Sequence, residues 1–343
     1  MQGIKRYLLC VVILKLIFSS VLWADTKGIG VQQAVEMLSA DMKTPQRYAL
    51  IIGVSNYKDD RIPSLPTCVN DAKTLQSVLL DPMHGMFTVD NTRLLINEEA
   101  NRANIVDALD KISRRAGKDD LVIIYFSGNG AVDEQGRSYW VAYDTDITRL
   151  RATAISESDI TELTKSIVSQ RLVMLIDSCY SVATAQVSGP KALVDLEQIY
   201  PKFTGQGRVA ITSGKGDQLS VVIKDKDSPG YGFSVFSWNI VSGLKGAGDV
   251  DNDGIVTVSE LWDYVKYRTE SIAILQGGNQ QPQLKGQIGG KFLLTVDGQR
   301  LIENTQLIKE SLDNLRLQCI DKKITLEQYN QAEELIKKDI AIP

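Results

Sequence analysis

Residues Ile123–Ala131 read Ile-Ile-Tyr-Phe-Ser-Gly-Asn-Gly-Ala, and residues Leu175–Ser181 read Leu-Ile-Asp-Ser-Cys-Tyr-Ser. Each is an apolar run that breaks into small, polar residues. Cys179, near the end of the second, carries a side chain able to attack a carbonyl carbon. An ordinary thiol is only a few per cent thiolate near neutral pH, so it needs a neighbour that lowers its pKa. A histidine does that and then returns the proton to the leaving amine. The chain has one histidine, His84, within Asp-Pro-Met-His-Gly. Asn129, in the first run, offers an amide, which hydrogen-bonds but neither accepts nor releases a proton in this range.

Such residues need a frame. Apolar runs of this length fit strands buried on both faces, as in a parallel sheet under helices. Catalytic and ligand groups of such sheets collect where strands end. Strands are predicted at about 48–54, 92–96, 121–127, 171–177, 208–213 and 290–296. Helices are predicted at about 69–80, 102–115, 157–169, 232–244 and 260–275, with Asn101 and Ser158 as N-caps. This alternation implies an α/β fold with a central, mostly parallel sheet of about six strands flanked by helices. The first helix would run back along the sheet and leave His84 in a surface loop at the edge opposite Cys179.

The two motifs resemble the catalytic strand ends of the caspase-like cysteine peptidases (peptidase C14), closest to the metacaspase and orthocaspase branch. There they run Tyr-Phe-Ser-Gly-His-Gly and Asp-Ser-Cys-Tyr/His-Ser-Gly. The resemblance spans roughly Arg47 to Val296. Arg47–Tyr57 is similar to the opening strand, Leu65–Leu79 to the first helix with its Cys-x-Asn-Asp start, and Tyr139–Asp146 to the extended segment before the next helix. Phe233–Gly246 resembles the late helix, and Gln280–Leu284 the turn before the last strand. The Gln-Ala-Cys-x-Gly signature of the mammalian branch is absent.

The resemblance implies a cysteine endopeptidase. Cys179 takes the nucleophile's place, its backbone N–H and that of Gly130 form the oxyanion hole, and Asn129 stands where the general acid–base histidine should be. Val182 replaces the glycine of Cys-Tyr-Ser-Gly and lacks its backbone freedom. Losing the base of a comparable triad costs on the order of 10⁶ in kcat. Catalysis is therefore expected to be impaired. By the same resemblance, a P1 arginine or lysine would sit among Cys68, Asp71, Ser127 and Asp177, and acidic side chains would be shunned. Taken singly, Asp71 also reads as a first-turn helix aspartate and Asp177 as a strand-end cap. Two other functions stay open: a pseudoprotease that binds basic peptide segments, and a calcium-stabilised structural envelope protein. The long connection Val182–Gly207, with Lys191 and Lys202, is where the family's activation cleavage often falls; it also reads as a plain surface loop.

A separate pattern is Asp249–Glu260, Asp-Val-Asp-Asn-Asp-Gly-Ile-Val-Thr-Val-Ser-Glu. It fits the EF-hand calcium loop, with carboxylates from Asp249, Asp251 and Asp253, the Ile255 carbonyl, a bidentate Glu260, and Gly254 at the sharp turn. Ca²⁺ is the expected cofactor, and Val256 is expected to point inward.

The chain has 343 residues, 43% hydrophobic and 23% charged, enough for one large domain with appendages. Residues 1–24, with Lys5 and Arg6 before an apolar stretch, read as a secretory signal peptide, with an uncleaved anchor as the alternative, so export to the periplasm or outside is expected. Without Lys5, Arg6 and Lys15, 35 of the 38 basic residues face 42 acidic ones, which argues against nucleic acid. Three of the four cysteines then remain, Cys68, Cys179 and Cys319, which make neither a disulfide framework nor a zinc pattern. Residues 25–46 read as an amphipathic helix, 47–297 as the peptidase-like domain, and 298–343 as a helical hairpin. In the hairpin, Leu312, Leu315, Leu317, Ile324, Tyr329 and Leu335 are expected to face one another, with a capping box at Thr325–Gln328 and possible self-association through these helices.

Overall fold

Leu121–Val132 is buried along almost its whole length, which a strand achieves only with neighbours on both sides and layers on both faces. The computed structural model describes residues 45–183, 207–214, 218, 220–288 and 293–339. The expected signal peptide, the helix over 25–46 and most of the Val182–Gly207 connection lie outside the described residues. The chain divides into two compact units. One comprises residues 45–251 and 255–297, and the other includes residues 252–254 and 298–343.

In the larger unit, β1 (Arg47–Gly53) leads to α1 (Cys68–Leu80), β2 (Thr92–Ile96), α2 (Arg102–Arg115) and β3 (Leu121–Val132). Next come β4 (Ser138–Trp140), β5 (Ile155–Ser156), α3 (Glu157–Lys165), β6 (Arg171–Ala183) and β7 (Arg208–Thr212). The unit ends with α4 (Val235–Ser242), β8 (Ile255–Thr257), α5 (Val258–Leu275), β9 (Gln283–Gln287) and β10 (Leu293–Val296). The sheet runs β2-β1-β3-β6-β7-β9; the first five strands are mutually parallel, β9 is antiparallel, and β4 and β5 extend from the far half of β3. The α/β architecture expected from the sequence, a central and mostly parallel sheet flanked by helices, is the one present.

Inside each apolar run the period of two sorts side chains to opposite layers. Leu50, Ile52, Val122, Ile124, Leu172 and Met174 face Ile105, Leu109 and Ile160 of α2 and α3. Ala49, Ile51, Ile123, Tyr125, Val173 and Leu175 face Leu75, Leu79, Phe236, Ile240 and Leu261 of α1, α4 and α5. Burial of this kind contributes about 25 cal/mol per Å² of apolar surface, and it is the main force holding the layers together.

Four expectations change. β3 and β6 run about five residues further than predicted, because Ser-Gly-Asn-Gly-Ala carries no strand propensity but its backbone stays paired. The sixth strand of the sheet is the polar Gln283–Gln287, while Leu293–Val296 forms a separate antiparallel ribbon with β8. An edge strand needs no apolar signal, so the sequence showed only a turn there. The N-cap of α3 is Ser156, not Ser158: its hydroxyl accepts from Asp159 N while Asp159 accepts from Ser156 N. Asn101 does cap α2. The fourth change lies in the smaller unit, a hairpin of α6 (Gly298–Ile320) and α7 (Leu326–Asp339). There Thr325 and Gln328 form the reciprocal cap. Leu312, Leu315, Ile324 and Tyr329 are half-buried, but Leu317 is 60% exposed and does not face them. Leu335's side chain lies outside the described residues. No helix among the described residues is long and apolar enough to cross a membrane.

Candidate active site

The backbone register places the two motifs against each other. Ser127 pairs with Asp177, Gly128 with Ser178, and Asn129 with Cys179 across the neighbouring strands β3 and β6. On the other side of β3, Gly53 at the end of β1 pairs with Ser127. A Cβ built on Gly53 would lie 2.6 Å from the Cys68 carbonyl oxygen and 2.7 Å from Ala72 Cβ. Glycine there lets the first turn of α1 press onto the strand end, bringing Cys68 and Asp71 to the same end of the sheet as Asp177. The thiol of Cys179 is outside the described side chains; its backbone position is not.

Asn129 is fully buried. Its Nδ2 donates to the Pro63 carbonyl at 2.8 Å, and its backbone N–H donates to the Tyr57 hydroxyl at 2.7 Å. Tyr57 in turn donates to the Val54 carbonyl at 3.2 Å. With the amide nitrogen committed to Pro63, Oδ1 is left as an acceptor, and it meets no partner among the described residues. Ser178 Oγ, on the adjacent strand, is likewise buried without one. Gly130 lies in the paired part of β3, opposite Trp140. His84 sits beyond the far end of α1, a helix of about 20 Å at 1.5 Å per residue, and its Nδ1 is 2.9 Å from Asp81 Oδ2. It is half-buried rather than loosely exposed.

The acidic residues form the most developed part of the site. Asp177 is 4% exposed and Asp71 is fully buried. Three hydroxyls converge on Asp177: Ser220 donates to Oδ1 at 2.7 Å, Ser237 to Oδ2 at 2.6 Å, and Ser234 also to Oδ2. Ser237 spends its one proton on Asp177, so Tyr125, 2.6 Å away, donates to it. Asp71 is far less served. Its Oδ1 accepts Ser234 N at 3.3 Å, and its Oδ2 meets no partner among the described residues. Burial, and then the charge of Asp177, push the Asp71 carboxyl up to about 8, against the smaller opposing hydrogen bonds from Thr67 and Ser234. Burial and the charges of Asp71 and Asp177 also raise the Tyr125 phenol well above its usual range.

Sequence reasoning missed Ser220, Ser234, Ser237, Tyr125, Tyr57 and Pro63. Only Ser234 had a local signal, since a serine before Val-Phe-Ser at the start of a helix is an N-cap pattern, and it does cap α4. The others reach the site through pairings more than 40 residues apart, or, for Pro63, through a backbone carbonyl that any residue could supply.

Away from this end of the sheet, the carboxylate oxygens of Asp249, Asp251 and Asp253 lie within 4.8 Å of one another. Gly254 takes φ +86° and Asn252 φ +60°, the turn such a loop needs. Ile255 opens β8 and Val256 is fully buried. Glu260 is engaged differently from the simple expectation: it closes a capping box, with Oε2 accepting Thr257 N at 2.9 Å and Thr257 Oγ1 at 2.7 Å.

Residues 46–292 match the family model described as the caspase domain, Peptidase_C14, and the chain belongs to that family. Solved structures with the same fold include pro-sf-caspase-1, at 11% identity and a TM-score of 0.51, covering 73% of this chain and 90% of that one. A protein from Geobacter sulfurreducens aligns at 16% identity with a TM-score of 0.49, over 72% of this chain and 95% of that one. Caspase-1 from Spodoptera frugiperda aligns at 13% identity and 0.49, over 72% and 88%. No curated protein matches the chain.

Proposed function

We propose that this caspase-family domain grips peptide or protein segments by an arginine or lysine side chain, and that with asparagine at position 129 it cleaves them weakly or not at all. The grip is supported by one observation above the others, the two buried carboxylates Asp71 and Asp177 gathered at the end of the sheet that carries Cys179. Paired carboxylates match a guanidinium or ammonium and repel an acidic side chain. Impairment follows from Asn129. Its amide nitrogen is held by Pro63 and its oxygen can only accept a hydrogen bond, so nothing there carries the proton to a leaving amine.

The test is an assay of the full chain on peptides with arginine, lysine or aspartate at the P1 position. The native protein should bind the basic peptides with negligible turnover and ignore the acidic one. In Asn129→His, an imidazole N–H can take over the Pro63 carbonyl and present its other nitrogen as the base; turnover after arginine or lysine should rise ~10²–10⁴-fold. Strong Cys179-dependent turnover by the native chain would overturn the impairment. If Asn129→His gains nothing, alone or with Val182→Gly, the domain is a binding module.

We propose further that the 249–260 loop takes Ca²⁺, in keeping with export to a calcium-rich compartment. Three clustered carboxylates and a turn at Gly254 make a hard-oxygen donor set of the right kind. Asp249, Asp251, Asp253 and the Ile255 carbonyl would hold the ion, with Glu260 joining from the first turn of α5. When bound, the ion supplies charge neutralisation and cross-linking of the loop, not chemistry at Cys179.

A further inference from the structure

Two carboxylates share one buried end of the sheet, yet they are treated differently. Asp177 receives three hydroxyl protons, from Ser220, Ser234 and Ser237, and the donors behind them are committed too. Ser234 Oγ accepts the Ser237 N–H at 3.1 Å, and Tyr125 backs Ser237. Such a shell stabilises a carboxylate anion, because a protonated acid has only one remaining strong acceptor oxygen. Asp71 has one long N–H contact, a Thr67 side-chain contact, and an Oδ2 buried without a partner among the described residues. Two like charges in so dry a place are costly, and one proton removes the conflict.

We propose that the ligand-free pocket holds one proton, carried by Asp71, and that a guanidinium or ammonium side chain enters in exchange for it. The inference rests on the acidic-pocket reading above and deepens it. Two carboxylates with one proton carry a single negative charge; two carboxylates with one bound cation carry the same. The buried net charge is thus conserved through binding, which avoids the expense of charging a desolvated site. In the step itself, the Asp71 O–H bond breaks, the proton leaves to solvent, and the cation's N–H groups donate to the vacated oxygen. No bond of the ligand changes.

The serines are positioning residues in this scheme. Their three hydroxyl protons go to Asp177 and none to Asp71, whose Oδ2 is left without a donor among the described residues. Among the described residues, the ionisable groups that act on Asp71 are Asp177 from β6 and, from β3, Tyr125; the Cys68 thiol lies one turn away on α1, and from α4's N-cap comes the uncharged Ser234. The raised Asp71 carboxyl agrees with this assignment.

The experiment is calorimetry of the full chain with N-acetyl-arginine methylamide, from pH 6 to 9, in pairs of buffers with different ionisation heats. The citrulline analogue serves as the uncharged control. Near pH 7, binding should release close to one proton, and affinity should weaken about tenfold for each pH unit below the Asp71 transition. Above that transition proton release should vanish. Asp71→Asn should bind more weakly, release no proton and lose the pH dependence. Ser220→Ala, which removes one donor from Asp177, should move the midpoint to higher pH, a change that a merely structural hydroxyl would not cause. Binding with a pH-independent affinity and buffer-independent heat overturns the exchange while leaving the pocket standing. No arginine-specific binding at any pH sinks the pocket reading, and the exchange with it.

Discussion

The state of Asp71 has a consequence for folding that needs no ligand. In the unfolded chain its carboxyl titrates near 3.8, whereas in the folded protein burial and Asp177 raise it to about 8. Between those values the folded state keeps a proton that the unfolded state has released. The contribution of Asp71 to stability is therefore greatest below this window and falls as pH rises through it. One retained proton gives a slope of about 1.4 kcal/mol per pH unit. From pH 5 to pH 8 the penalty is on the order of 4 kcal/mol, a large share of the ~5–15 kcal/mol that holds a domain together. Asp71→Asn replaces the protonated acid with an amide of the same shape. At pH 5 the variant should match the native chain within ~1 kcal/mol, and at pH 8 it should be the more stable by several. Urea unfolding at pH 5, 6.5 and 8 measures both proteins. Taking their difference cancels the titrating groups that do not interact with Asp71. A difference that stays constant across this range would refute the claim that Asp71 retains the proton, and with it the account of why Asp177 needs three hydroxyls.

Gly53→Ala should cost about 1–3 kcal/mol by overpacking, since the new methyl meets the Cys68 carbonyl oxygen and Ala72 Cβ, and it should also weaken binding of arginine peptides by displacing Asp71; unchanged melting and affinity would contradict the close approach of α1. Tyr57→Phe removes the hydroxyl that accepts Asn129 N and donates to Val54 O, and should cost about 1–3 kcal/mol in denaturant unfolding. Ca²⁺ at a hundred times its dissociation constant should stabilise the chain by about 2.7 kcal/mol, with the gain reduced in Asp251→Asn; isothermal calorimetry that finds no uptake at millimolar Ca²⁺ would remove the site.

The α/β class, the strand–helix order and the family could be read before any coordinates, because they depend on local signals. Ile-Ile-Tyr-Phe and Leu-Val-Met-Leu-Ile are continuous apolar runs of strand length, and small residues follow each at the point where it must reach the end of the sheet. That asparagine, not histidine, stands at position 129 was equally legible, since it is a matter of residue identity. The same holds for the capping box at Thr325–Gln328, whose partners are three residues apart.

What the linear order could not express is who meets whom across the fold. That Gln283–Gln287, rather than the more apolar Leu293–Val296, completes the sheet depends on pairing with β7, which no local propensity encodes. The role of Asp71 and Asp177 as a pair with unequal surroundings depends on Ser220, Ser234, Ser237 and Tyr125, which arrive from three other stretches of chain. Protonation is set by burial and by the sum of neighbouring charges and donors, quantities that exist only once the layers have closed. The sequence by itself therefore determined which chemical groups are present, and tertiary structure alone decided which of them meet at the buried end of the sheet.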